Sequence, residues 1–149
     1  MNRDKRGSQG ISLRSEWKKK LFILFISIMG AKPIDIFESE GKVSLLIEKE
    51  DFYRIKRAGL HKLKLISRRV GKEIEIVVFS QDLEECAKNL FRPAKVNNIE
   101  REQRGEKELL KVYVPPWEKG KALGRKSYKL HRARAFLKRY FNIDNVRIV

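Results

Sequence analysis

Cysteine is nearly absent from this chain: Cys86 is the one thiol in 149 residues, which excludes an internal disulfide and favours a reducing compartment, the cytoplasm. Histidine is almost as scarce. His61 and His131 both sit in basic segments with no Cys, Asp or Glu at ligand spacing around them, so neither a metal centre nor a cofactor is expected. Long apolar runs are missing too. The greasiest stretch, Leu21 to Met29, is nine residues long and contains Ser27, against the roughly 20 residues needed to cross a bilayer. As a signal peptide the start has too long a charged part, and Gly30-Ala31-Lys32-Pro33 lacks a small-residue cleavage pattern. No Walker loop and no nucleophile motif occurs. The acids cluster in 38–51, 82–85 and 100–108, near turn signals or at a helix start, which points away from a catalytic carboxylate pair and from an enzyme.

Acids as a class are in deficit. With 35 Lys and Arg against 19 Asp and Glu the net charge is +16, far beyond what solubility requires, and it predicts attraction to a polyanion. Nucleic acid is the leading partner and an acidic membrane surface the rival. Hydrophobic residues make up 42% of the chain, enough to fill the core of one ordinary domain or of two small ones.

Residues 1–11 are polar and basic, too poor in apolar residues to pack, and read as a flexible arm. Ser12 or Ser15 can cap a helix running to Met29, stopped by Gly30 and Pro33. Two strands around Ile34 to Ile36 and Val43 to Ile47 turn at Glu40-Gly41, and short helices over 50–57 and 60–70 lead to a strand at 73–79. The order then begins again. Ser80 caps a helix to Leu90, strands at 94–102 and 109–114 turn at Arg104-Gly105-Glu106, and helices at 117–123 and 127–141 precede a final strand at 145–149. Ala31-Lys32 matches Ala94-Lys95 and Gly41 matches Gly105, so the chain reads as an internal repeat of two small α+β domains, 12–79 and 80–149. Each is expected to hold a mixed three-stranded sheet covered by helices.

The stretch richest in chemistry is 119–127, Lys-Gly-Lys-Ala-Leu-Gly-Arg-Lys-Ser, with two glycines and four cations just ahead of a basic helix. Residues 117–149 carry ten Lys or Arg against Glu118 and Asp144, a net of +8 and half of the whole excess. Backbone N–H groups at such a helix start can receive a phosphate. Residues 52–70 add seven Lys or Arg and no acid. Trp17 and Trp117 read as core or helix-anchoring residues, and Tyr128 as the aromatic most apt to touch a base.

A helix, GxxG loop, helix unit inside a small three-stranded domain resembles the KH fold, in the helix, strand, strand, helix, helix, strand order of its type II form. The segments 90–96 (Leu-Phe-Arg-Pro-Ala-Lys-Val), 122–127 (Ala-Leu-Gly-Arg-Lys-Ser) and 141–146 (Phe-Asn-Ile-Asp-Asn-Val) resemble the archaeal NusA-like transcription factors. The likeness covers residues 20–149, and it implies two tandem type II KH-like domains, single-stranded RNA and RNA polymerase or other transcription machinery as partners, and a monomer without catalytic activity. A ribosomal or ribosome-assembly component is the alternative. In the GxxG position stands Gly124-Arg125-Lys126-Ser127, where Ser127 departs from the pattern and is expected to act as a helix cap. The RNA-contacting residues implied are Lys119, Lys121, Gly124, Arg125, Lys126, Ser127, Tyr128, Lys129 and Arg132 in the second half, with Lys56, Arg57 and Lys62 in the first. There the corresponding loop is expected at Arg57-Ala58-Gly59-Leu60, without framing glycines.

Overall fold

A computed structural model describes residues 14–149; the basic arm over 1–11 and Ser12 as a helix cap lie outside the described residues. The described chain divides after Ser80 into two compact units. The first runs α1 (Glu16–Met29), β1 (Asp35–Ser39), β2 (Lys42–Glu48), α2 (Lys49–Ala58), α3 (Lys62–Val70), β3 (Glu73–Phe79). The second runs α4 (Leu83–Phe91), β4 (Asn98–Arg104), β5 (Lys107–Tyr113), α5 (Lys119–Leu123), α6 (Tyr128–Phe141), β6 (Asn145–Ile148), with 3₁₀ turns at Pro116–Glu118 and Arg125–Ser127 on either side of α5. Both are thus α+β units with one element order. In each sheet the second strand is central, antiparallel to the first and parallel to the third, with Ile36 opposite Leu45 and Val43 opposite Ile74 in one, Ile99 opposite Val112 and Leu110 opposite Val146 in the other.

In the first unit Leu21, Phe25 and Met29 recur every fourth residue along α1, so one face of the helix is apolar and buried. They form a core with Val43, Leu45 and Ile47 of β2, Ile55 of α2 and Ile66 of α3. Gly30, left-handed at φ 69°, ends α1 with its N–H on the Ile26 carbonyl. Ser15 occupies the capping position, but its side chain makes no capping bond. Glu40 and Gly41 have φ of 52° and 78°, the pair of positive values that a two-residue hairpin turn needs to match the twist of its strands.

The second unit departs from the sequence reading at two places. Its first helix starts at Leu83, so the cap is Asp82, whose Oδ2 accepts the Glu85 N–H at 2.9 Å, and not Ser80. Its first strand starts at Asn98, not at residue 94, because the chain turns first, with the Ala94 N–H on the Phe91 carbonyl. Buried Leu90, Phe91, Leu110, Val112, Phe136, Leu137 and Val146 fill this unit and fix α6 over the sheet.

Two half-buried carboxylates of this unit link its stability to pH. Glu102 lies 2.8 Å from Lys111 and 2.7 Å from Arg104, and these bonds, Lys111 foremost, lower its pKa from 4.5 to about 2. Asp144 accepts from Lys138 Nζ at 2.7 Å and from the Glu108 N–H at 2.8 Å, and its pKa is lowered too. A depressed carboxylate pKa adds stability that is present above the unfolded value and is lost as pH falls toward the folded one. The melting temperature of the second unit is therefore expected to drop between about pH 4.5 and pH 2. The Glu102→Gln variant should melt below the parent at pH 7 and converge with it near pH 2; an unchanged gap across a pH series of thermal melts contradicts the linkage.

Candidate nucleic-acid interface

The loop between α5 and α6 is built around Gly124, at φ 74° and ψ 174°, a region that an L residue occupies only under strain. Its N–H closes α5 on the Gly120 carbonyl, and its own carbonyl accepts the Ser127 N–H at 3.0 Å. The Tyr128 N–H bonds to the Arg125 carbonyl. Three loop amides are therefore used inside the loop, and what it offers a ligand is chiefly the exposed pair Arg125 and Lys126.

Around that pair, Lys119 and Lys121 are exposed. The only acid between residues 117 and 143, Glu118, accepts the Lys95 N–H at 2.8 Å and lies 3.5 Å from Lys121 Nζ. Its pKa is lowered, mainly by that backbone bond, so the carboxylate stays ionised and internally held. Positive charge dominates the face.

Three residues expected to touch RNA do something else. Tyr128 is 5% exposed, packed under Gly124 with the Arg132 guanidinium 5.5 Å from its ring centre. Lys129, 7% exposed, donates from Nζ to the Lys121 carbonyl at 3.0 Å; Arg132, 3% exposed, donates to the Leu90 carbonyl at 2.7 Å. Both cations satisfy carbonyls near helix C-termini, where the dipole favours them. They hold the loop's scaffold together, and their charge is directed inward.

Ser127 is also not a cap. It sits at φ 61°, directly after Lys126 at φ 53°, and makes no side-chain capping bond. A left-handed residue with a Cβ is strained, so Ser127→Gly is expected to stabilise the protein by about 0.5–1 kcal/mol, while Ser127→Ala leaves it nearly unchanged. Thermal melts of the two variants check this. A clear loss in Ser127→Ala, about 1 kcal/mol, is instead the mark of a cap.

In the first unit the loop lies two residues later than the sequence reading put it. Gly59 is the counterpart of Gly124: it ends α2 with its N–H on Ile55, has φ of 113°, and its carbonyl accepts the Lys62 N–H at 3.1 Å as that of Gly124 accepts from Ser127. The loop is Gly59-Leu60-His61-Lys62, with a leading glycine and with Leu60 and His61 where the second unit has Arg125 and Lys126. Lys56 and Arg57 remain exposed on α2, Lys56 with its Nζ 5.5 Å from the Phe52 ring centre, and Lys62 is half-buried.

One residue beside the second loop was misread from sequence. Trp117 is 80% exposed on the turn before α5. Trp17, in contrast, is half-buried against the first core with Lys72 Nζ 4.6 Å from its ring centre.

Among the described residues no helix is long and apolar enough to cross a membrane, and no three His, Cys, Asp or Glu side chains gather as a metal site requires. No protein-family model matches the chain. A solved structure described as "Crystal structure of APE1850" is 28% identical and superposes with a TM-score of 0.72 over 88% of this chain and 96% of that one. Three curated archaeal proteins, each named "Probable transcription termination protein NusA", align with most of it. The Methanococcus vannielii protein is 25% identical over 126 residues, covering 85% of this chain and 73% of that protein. Those of Methanocaldococcus jannaschii and Thermoplasma acidophilum are each 21% identical over 125 residues, 84% of this chain and 68% and 87% of their own lengths. Along most of its length the chain is thus similar to archaeal NusA proteins.

Proposed function

We propose that the chain is a cytoplasmic, non-catalytic, monomeric RNA-binding protein of the NusA-like kind, composed of two type II KH domains, and that it acts on transcription elongation, termination or antitermination together with RNA polymerase. Support comes from the element order and mixed sheet shared by both units, from the similarity to archaeal NusA proteins, and from the +16 charge. The observation that carries it is the loop 124–127, where Gly124 folds the backbone tightly and presents two cations beside an internally held acid. A KH loop of this kind lies against the backbone of about four nucleotides of single strand. Here the grip is mainly electrostatic, through Arg125 and Lys126, with Lys119 and Lys121 adding field. The first unit, with Leu60 and His61 in place of the two cations, contributes the exposed charge of its helices and no comparable grip.

Amide chemical-shift mapping with an unstructured RNA oligonucleotide tests this. Residues 119–127 should shift first and recover as salt is raised; a titration that leaves them undisturbed refutes the RNA-binding part. Retention on immobilised RNA polymerase tests the transcriptional part, and cosedimentation with ribosomal particles instead favours a ribosome-assembly role.

A further inference from the structure

We propose that Trp117 is a base-stacking platform for the same RNA strand, a contact that rests on the reading of the loop as an RNA grip and extends it along α5. Trp117 has the most exposed of the large apolar side chains among the described residues, at 80%. Its backbone is nonetheless fixed. Pro115 and Pro116 restrict the approach, the Glu118 N–H bonds to the Pro115 carbonyl at 2.9 Å, the Lys119 N–H bonds to Pro116, and the Glu118 carboxylate ties the turn to the Lys95 amide. An indole on a rigid mount loses little conformational freedom when a flat partner covers it.

Charge identifies that partner. Lys119 and Lys121 follow on the same turn and helix, Lys95 is brought alongside by its bond to Glu118, and all three are exposed. An exposed ring on a segment that carries three exposed lysines suits a ligand with a flat π-face and a phosphate on either side, which is a nucleotide in a single strand. The distance also fits. The turn and α5 together advance about 13 Å from Pro116 to Leu123, within the stretch of about four nucleotides that such a loop engages. Electrostatic contact at Arg125 and Lys126 and stacking at Trp117 are then two ends of one site. The bases rather than the backbone are read at the second end, with little sequence preference because every base has a π-face.

The experiment uses the full chain with Trp17→Phe, leaving Trp117 as the one indole, titrated with unstructured single-stranded RNA. Emission should be quenched along the same curve that filter binding gives. Trp117→Ala should weaken binding about 10- to 100-fold with an unchanged salt slope and melting temperature, and Trp117→Phe should keep most of the affinity. Unchanged emission, or parental affinity in Trp117→Ala while Arg125→Asp with Lys126→Asp abolishes binding, overturns the stacking contact and leaves the loop reading intact. Quenching that persists with full affinity in the loop double variant overturns the loop reading and keeps Trp117 as an RNA contact. If Trp117→Ala binds RNA like the parent but loses retention on RNA polymerase, the ring is a protein contact and the inference falls.

Discussion

Reversing both loop cations, Arg125→Asp with Lys126→Asp, is expected to lower the affinity for single-stranded RNA about 100-fold at ~0.15 M salt while leaving the melting temperature unchanged. Each phosphate contact on a single strand contributes about 0.7 to the slope of log K against log salt. Losing two contacts should therefore reduce the slope by about 1.4 and the affinity roughly 15-fold, and reversal adds repulsion to that loss. The neutral pair Arg125→Gln with Lys126→Gln should stop near the 15-fold value. The fold should tolerate the reversal, because both side chains are exposed and Asp is among the few residues that accept the left-handed backbone found at position 126. Filter binding over a salt series gives both numbers. Retained affinity with an unchanged slope removes the loop from the interface.

The same loop indicates what can be read from a sequence of this kind. Its place and its charge were visible, because glycine, cations and an amphipathic helix each leave a local signal. The hairpin at Glu40-Gly41 and the end of the first helix at Gly30 were visible for the same reason, since each needs a positive φ that glycine supplies. What a cation does was not visible. Lys129 and Arg132 stand among the RNA contacts that the resemblance implies, yet along α6 they fall among Tyr128, Ala133, Phe136, Leu137 and Tyr140, the buried stripe of the helix. Their long side chains run inward, Lys129 to a carbonyl of the neighbouring α5 and Arg132 to one of α4, 42 residues away in sequence, contacts that composition does not show. Ser127 failed for a related reason: capping is a property of φ and of one hydrogen bond, and serine is compatible with both its presence and its absence. In the first unit, Gly59 lacked a second glycine or a charged pair to mark the register, and only the hydrogen bonds reveal it as the counterpart of Gly124.

Replacing Gly124 should have the largest effect on stability of any single change in this loop. A Cβ built at Gly124 lies 2.6 Å from Tyr128 Cε1, 2.7 Å from Tyr128 Cδ1 and 3.1 Å from Lys129 Cγ. Tyr128 is buried and cannot swing away without opening the packing above it, so the clash adds to the strain of φ 74° and ψ 174°. The backbone part is about 1–3 kcal/mol, and overpacking of a filled site adds about 1–3 kcal/mol more. Gly124→Ala is thus expected to destabilise the second unit by about 2–6 kcal/mol, a melting-temperature drop of roughly 10 °C or more at about 4–8 °C per kcal/mol for a domain of this size. Two other glycines divide that sum. Gly120 lies inside α5 with nothing within 4 Å of a built Cβ, so Gly120→Ala should be neutral or stabilise by up to about 1 kcal/mol. Gly59 at φ 113° has a built Cβ 2.6 Å from the His61 ring, but that ring is exposed and can rotate away, so Gly59→Ala should cost the backbone part alone. If Gly124→Ala melts no lower than Gly59→Ala, the buried tyrosine is not what makes glycine obligatory there. If it melts lower, Tyr128 is the scaffold that holds the loop in shape, with Arg125 and Lys126 exposed on it.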